Sequence, residues 1–351
     1  MALTVKQKEK ISIEVIKTLV TRFDSFPEDA SKNRNAPFHE AFLNAFSDKL
    51  YGKVSDTPFF ISLSSWLQGL NTTLGQTFFE NVAHHLCNGE KREYTSKKFG
   101  NLQITQSQKD IITTIITNLS NTTAIPNLEN ENNSIFQQYN TTLVSAIDFS
   151  ADVFIEDANS ITAIELKSVK PNSGEMRGEK QKILEGKSAL YRQFPGKQIN
   201  FYIGFPFDPT VNPTNEAITS FDKPRFLDSI INMTKYFAPN ETLVASELWD
   251  KLSGHQNTME EILDIINSIS TTSFLDKFQL LCDNSKRLTP AYRNQLSEWY
   301  LVSEINLIDN NDIISQKITN DNALTRTFNK TAFDSKGNYN TDRYIALKEL
   351  I

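Results

Sequence analysis

Asp152, Glu165 and Lys167 have the types and spacing that phosphodiester chemistry needs. Between them lies Asp157-Ala158-Asn159-Ser160, a cluster of turn formers flanked by two runs rich in Val, Ile, Phe and Thr, which predicts a β-hairpin. With those residues as the loop, Glu156 faces Ile161, and counting outward sets Asp152 opposite Glu165. Opposed residues share a face of the sheet, and Lys167, two positions further along, shares it as well. The other face carries Val153, Ile155, Ile164 and Leu166 for the core. Like charges directly opposed destabilise a strand pair, so this pairing calls for a cation between the carboxylates. Carboxylate oxygens, a backbone carbonyl and waters are the donors a hard divalent ion such as Mg2+ uses. A lysine beside them can orient a water or offset developing charge. The set suits metal-assisted phosphodiester hydrolysis.

Asp152, twelve intervening residues, then Glu165-Leu166-Lys167 resembles the PD-(D/E)xK nuclease motif, with Ala151 where a proline is usual. The continuation Ser168-Val169-Lys170-Pro171-Asn172-Ser173-Gly174 resembles type II restriction endonucleases, in particular the TdeIII-like family. So does the upstream stretch from Ser64-Ser65-Trp66 to Gly75-Gln76-Thr77-Phe78-Phe79. The resemblance implies an α/β (α+β) restriction-endonuclease-like core, a mixed central sheet flanked by helices, with helical N- and C-terminal additions. It implies Mg2+ held by Asp152 and Glu165, with Lys167 positioning or activating water. Asp148 is the alternative first carboxylate. It further implies cleavage of double-stranded DNA at a short G·C-rich site such as GGNCC. A homodimer follows, because a two-fold axis matches a palindromic site, and modification falls to a separate methyltransferase. Two other readings remain at this stage: a nuclease of the same fold acting in repair or on RNA, and a non-catalytic DNA-binding protein with a decayed core. The intact Asp…Glu-x-Lys set argues against decay.

The elements around the hairpin must position these groups. A chain of 351 residues, 39% hydrophobic and 22% charged, can bury a sizeable core. We read one elaborated nuclease domain: a helical part over 1–140, the catalytic core over 141–210, and a mainly helical part over 211–351. Net charge is −6, so basic residues need only line one cleft. Candidates for DNA contact are Lys97 and Lys98 in the run Lys91–Lys98, and Lys170, Asn172, Arg177 and Lys180 after the hairpin. Cys87 and Cys282 lack metal spacing and fit thiols in a reducing cytoplasm. No apolar run approaches ~18 residues, so no membrane span is expected, and the start lacks a signal-peptide core.

Periodicity predicts helices over 5–24, 37–50, 57–69, 72–88 and 105–119, then a polar loop over 121–140. His84 and His85 point about 100° apart on a helix and suit packing or dipole neutralisation. Pro171-Asn172 stops the hairpin strand, and Asn172 with Glu175 resembles a capping box opening a helix to Gln193. Gly178 and Gly186 each cost that helix about 1 kcal/mol and suggest close packing on the sheet. Gln198–Phe205 is nearly all apolar, as suits a central strand covered on both faces. Further helices are expected over 223–237, 241–252, 259–269, 274–283 and 290–305.

Overall fold

The structure, a computed structural model, describes residues 2–27, 37–54, 56–137, 141–167 and 175–351. Its strands are β1 (Glu90–Tyr94), β2 (Gln103–Thr105), β3 (Leu143–Ser145), β4 (Phe149–Glu156), β5 (Ser160–Leu166), β6 (Gln198–Phe205) and β7 (Thr242–Val244). Strands β2 and β3 form an antiparallel ribbon. The other five form one mixed sheet in the order β1-β4-β5-β6-β7. The β1/β4 and β4/β5 pairs are antiparallel, and β5/β6 and β6/β7 are parallel. The fold is therefore the mixed α/β architecture expected.

The hairpin register runs Val153↔Ile164, Phe154↔Ala163, Ile155↔Thr162 and Glu156↔Ile161. This is the register counted from the turn cluster, and one further step outward sets Asp152 against Glu165. The simple division into a greasy and a charged face does not hold. Phe154, on the charged face by alternation, is buried and lies 4.0 Å beneath the Arg92 guanidinium. The cause is on β1, where Glu90 pairs with Phe154 but Arg92 with Ala151. Lys91 thus faces two residues, Asp152 and Val153, in a bulge of the kind that bends a strand and re-aims a side chain.

Contacts divide the chain into two compact units. One consists of Met1–Leu3 and Phe79–Glu261; the other consists of Thr4–Phe78 and Ile262–Ile351. The first unit holds the five-stranded sheet. The Glu175–Gln193 helix packs on it through Gly186, where a Cβ would come within 3.3 Å of both Phe149 and Phe201. Close approach thus explains Gly186, whereas Gly178 faces open space. The expected loop over 121–140 contains a helix, Leu128–Ile135, and the expected helix over 241–252 begins as β7.

In the second unit the long Val5–Asp24 helix sends Glu9 to the start of the Val302–Asp309 helix, where it accepts from Ser303 N at 2.6 Å and Ser303 Oγ at 2.7 Å. Gly69 does not end a helix there, because the helix runs Thr57–Thr73. Its missing side chain makes room for Arg22, whose Nη1 would lie 2.6 Å from a Cβ. The expected helix over 290–305 breaks after Glu298, and Tyr300 turns the chain with φ +58°.

The first unit also buries a network of four charges. Lys180 Nζ lies 2.8 Å from both Glu241 oxygens and 2.5 Å from Glu131 Oε2, the latter an ion pair without hydrogen-bond alignment. Lys187 Nζ is 3.6 Å from Glu241. Burial pushes the Lys187 ammonium down to about 8, with Glu241 opposing. Removing one partner of a buried pair leaves an uncompensated charge at about 3–5 kcal/mol. Glu241→Leu should therefore lower unfolding stability by that amount in urea melts, whereas a change within about 0.5 kcal/mol, as at ordinary surface sites, would mean the network is solvated.

Candidate active site

Asp152 and Glu165 are both nearly buried, at 8% and 7% exposure. Asp152 Oδ2 accepts from the backbone N of Leu166 at 2.9 Å, which ties the β4 carboxylate to β5. Its Oδ1 is 3.0 Å from Lys91 Nζ, and Lys91 also reaches the two oxygens of Glu80 at 3.0 and 3.1 Å. The main-chain oxygen of Asp152 lies 2.7 Å from His84 Nε2. A carbonyl only accepts, so that ring nitrogen carries the proton.

Glu165 is held by three groups. Lys182 Nζ stands 3.1 Å from its Oε1 and Lys167 Nζ 3.4 Å, while Ser150 Oγ donates to Oε2 at 3.4 Å. Burial, and then the charge of Asp152, raise the Glu165 carboxyl above the usual carboxylate range, against Lys182 and Lys167. Lys167 also lies 3.2 Å from Glu179 and 3.7 Å from Glu175. Burial alone would lower its pKa, but Glu165, Glu179 and Glu175 outweigh it and hold the ammonium above its ordinary value. Lys167 is therefore a cation at neutral pH, suited to donating hydrogen bonds and unsuited to taking a proton.

The expected residues are distributed unevenly about this cluster. Asp152, Glu165 and Lys167 come together. Asp148 stands apart, exposed just before β4 with its carboxylate accepting from Asn101. Arg177, Lys97 and Lys98 are exposed, with Lys98 3.9 Å from Glu93. Lys180 requires correction as a DNA contact: it is fully buried in the ion network with Glu131 and Glu241 and out of reach of a phosphate. Lys170 and Asn172 lie outside the described residues. Sequence reasoning missed Glu80, His84, Lys91, Glu179 and Lys182. Glu80 and His84 stand four apart on the Phe79–Cys87 helix and so share a face, the one signal that was available.

The donor chemistry fits a divalent ion. Five carboxylates (Glu80, Asp152, Glu165, Glu175 and Glu179) meet three ammonium groups (Lys91, Lys167 and Lys182), an excess of two negative charges when all are ionised. Among the described residues no three Asp, Glu, His or Cys side chains are disposed to hold a metal by themselves. Mg2+ commonly takes only one or two protein carboxylates and keeps waters and substrate phosphates for the rest.

Comparison with known proteins settles the class. Residues 3–270 match the family described as "Type II restriction endonuclease, HinfI". The chain belongs to the HinfI family of type II restriction endonucleases. It is also 42% identical over 366 aligned positions to "Type II restriction enzyme MjaII" of Methanocaldococcus jannaschii, covering 97% of this chain and 96% of the relative. The broad resemblance in the motif residues thus holds, and the matching family is HinfI's, where the motif suggested a TdeIII-like one. The protein is a site-specific deoxyribonuclease acting on double-stranded DNA, and enzymes of this type generally use a divalent metal. Among the described residues no helix is long and apolar enough to cross a membrane.

The raised Glu165 pKa has a stability consequence. Between the unfolded and the higher folded value the native chain binds more protons, so stability falls as pH rises and the full penalty applies above the folded value. Glu165→Gln in EDTA should melt above wild type at pH 7.5, by on the order of 1–2 °C per kcal/mol relieved. The gap should close as acid protonates Glu165 in the wild type. A variant melting below wild type at pH 7.5 would contradict this.

Proposed function

We propose that Asp152 and Glu165 are the metal-binding carboxylates of this restriction endonuclease, that the ion is Mg2+, and that Lys167 is the catalytic ammonium. The observation that carries the reading is the two buried, mutually repelling carboxylates at one end of the hairpin, with Lys167 against Glu165. Leu166 N fixes the rotation of the Asp152 carboxylate, and His84 holds the Asp152 main chain from the other side. A divalent ion bound there supplies positive charge beside the scissile phosphate and lowers the pKa of its water. Lys167, kept charged by three carboxylates, donates to the attacking water or to a non-bridging phosphate oxygen and offsets the charge that develops there. Exposed Arg177, Lys97 and Lys98, together with Lys170 and Asn172, are proposed to meet DNA around this centre. A homodimer places one such centre on each strand of a palindromic site. We propose GGNCC as that site, a separate methyltransferase as the source of protection, and one working nuclease in the cytoplasm built from both units.

Digestion of a sequenced plasmid with Mg2+ and mapping of the ends tests the site: discrete ends at GGNCC are expected, and ends elsewhere would exclude it. Asp152→Ala and Glu165→Ala should abolish cleavage while gel-shift affinity in Ca2+ survives. Ca2+ accepts looser oxygen geometry at longer distances and should support binding without cutting. Wild-type rates in either variant would remove that carboxylate from the site.

Lys167→Ala should slow single-turnover cleavage about a hundredfold, the usual cost of losing one donor to developing charge, with little change in affinity. A normal rate with only a lower melting temperature would make Lys167 a structural counter-charge.

A further inference from the structure

The Asp152 carboxylate has one oxygen committed to the fold and one committed to a side chain. Oδ2 takes the Leu166 backbone hydrogen bond at 2.9 Å, and Oδ1 takes Lys91 at 3.0 Å. A cation bonded to Oδ1 at Mg2+ distances of about 2.1 Å would lie within about 5 Å of the Lys91 ammonium. Two cations on one oxygen repel, which favours release of one of them.

Lys91 is built to be the one that leaves. Its side chain is 36% exposed, unlike those of Asp152 at 11% and Glu80 at 14%. It stands at the bulge, as the one β1 residue facing two residues of β4. It also has a second anion: both Glu80 oxygens lie within 3.1 Å, so losing Asp152 does not strand the charge. Lys167 and Lys182 on Glu165 also have a second anion, Glu179, but they are less exposed than Lys91, at 17% and 20%.

We propose that Lys91 is the resident counter-ion of Asp152, and that it releases Oδ1 and stays on Glu80 when a divalent cation binds. Lys91 is then a positioning residue. It keeps Asp152 aimed at the site until the ion arrives, and Glu80 acts through it as a tether. The inference rests on Asp152 being a metal carboxylate.

The test uses the intact enzyme and Ca2+ alone as probe. Acylation of individual lysines by an activated ester, read by mass spectrometry and normalised to exposed Lys98, reports on Lys91 without any substitution. Labelling of Lys91 should rise roughly two- to fivefold from EDTA to saturating Ca2+, the range that loss of a partly exposed ion pair allows. In calorimetric titrations Lys91→Met should bind Ca2+ tighter than wild type by a similar factor, and Lys10→Met, which removes an equal charge from an exposed site, should not. Glu80→Gln should weaken Ca2+ binding more in the wild-type background than in the Lys91→Met background, where only its own charge is lost. Unchanged or reduced Lys91 labelling, with Ca2+ still lost in Asp152→Asn, overturns this inference alone. Undiminished Ca2+ affinity in Asp152→Asn overturns the proposed metal site and this inference with it.

Discussion

Repulsion between the Asp152 and Glu165 carboxylates is the constraint around which the first unit is built. Two acids at 8% and 7% exposure gain little from water, and burial together with the charge of Asp152 raises the cost of ionising Glu165. The surroundings answer with hydrogen bonds and ammonium groups from separate stretches of chain: Lys91 from β1, Leu166 N from β5, Lys167 just beyond it, and Lys182 from the following helix. With Glu80, Glu175 and Glu179 counted, the carboxylates still outnumber the ammonium groups by two when all are ionised.

The Glu175–Gln193 helix carries two kinds of charge. Glu179 and Lys182 reach the site, while Lys180 and Lys187 enter the interior network with Glu131 and Glu241. Gly186 brings the helix against Phe149 and Phe201. A helix anchored by buried ions and by close backbone approach has little freedom to slide. Buried ion pairs give modest net stability but penalise misplacement heavily, which suits an element that sets lysine positions around two buried carboxylates.

Much of this could be read from the chain. The turn cluster at 157–160 gave the hairpin register to the residue, because strand alternation leaves no freedom once the loop is placed. The apolar run over 198–205 matched β6 at both ends. What escaped was set by distant contacts. Lys180 reads as a surface cation on a basic helix, and only the Leu128–Ile135 helix and Glu241, remote in sequence, make it internal. That helix itself lay in a polar, Asn-rich stretch that buries only Glu131 and Ile135. The bulge had no local signature either, since it arises from a mismatch between β1 and β4 more than fifty positions apart. Glu80 and His84 were visible as a same-face pair, but nothing local ties them to a strand that follows dozens of residues later.

The bulge sets how this enzyme's relatives can differ in length. Between Glu90 and Arg92 β1 spends one residue where β4 spends two. Deleting a residue from that part of β4, or inserting one opposite it in β1, would restore regular pairing and turn Asp152 away from its present aim. The same changes at the hairpin tip, between the end of β4 at Glu156 and the start of β5 at Ser160, would fall outside both strands. Length variation among homologues should therefore collect at the hairpin tip and be excluded from the stretch around Lys91 and Asp152, even where the residue types there drift.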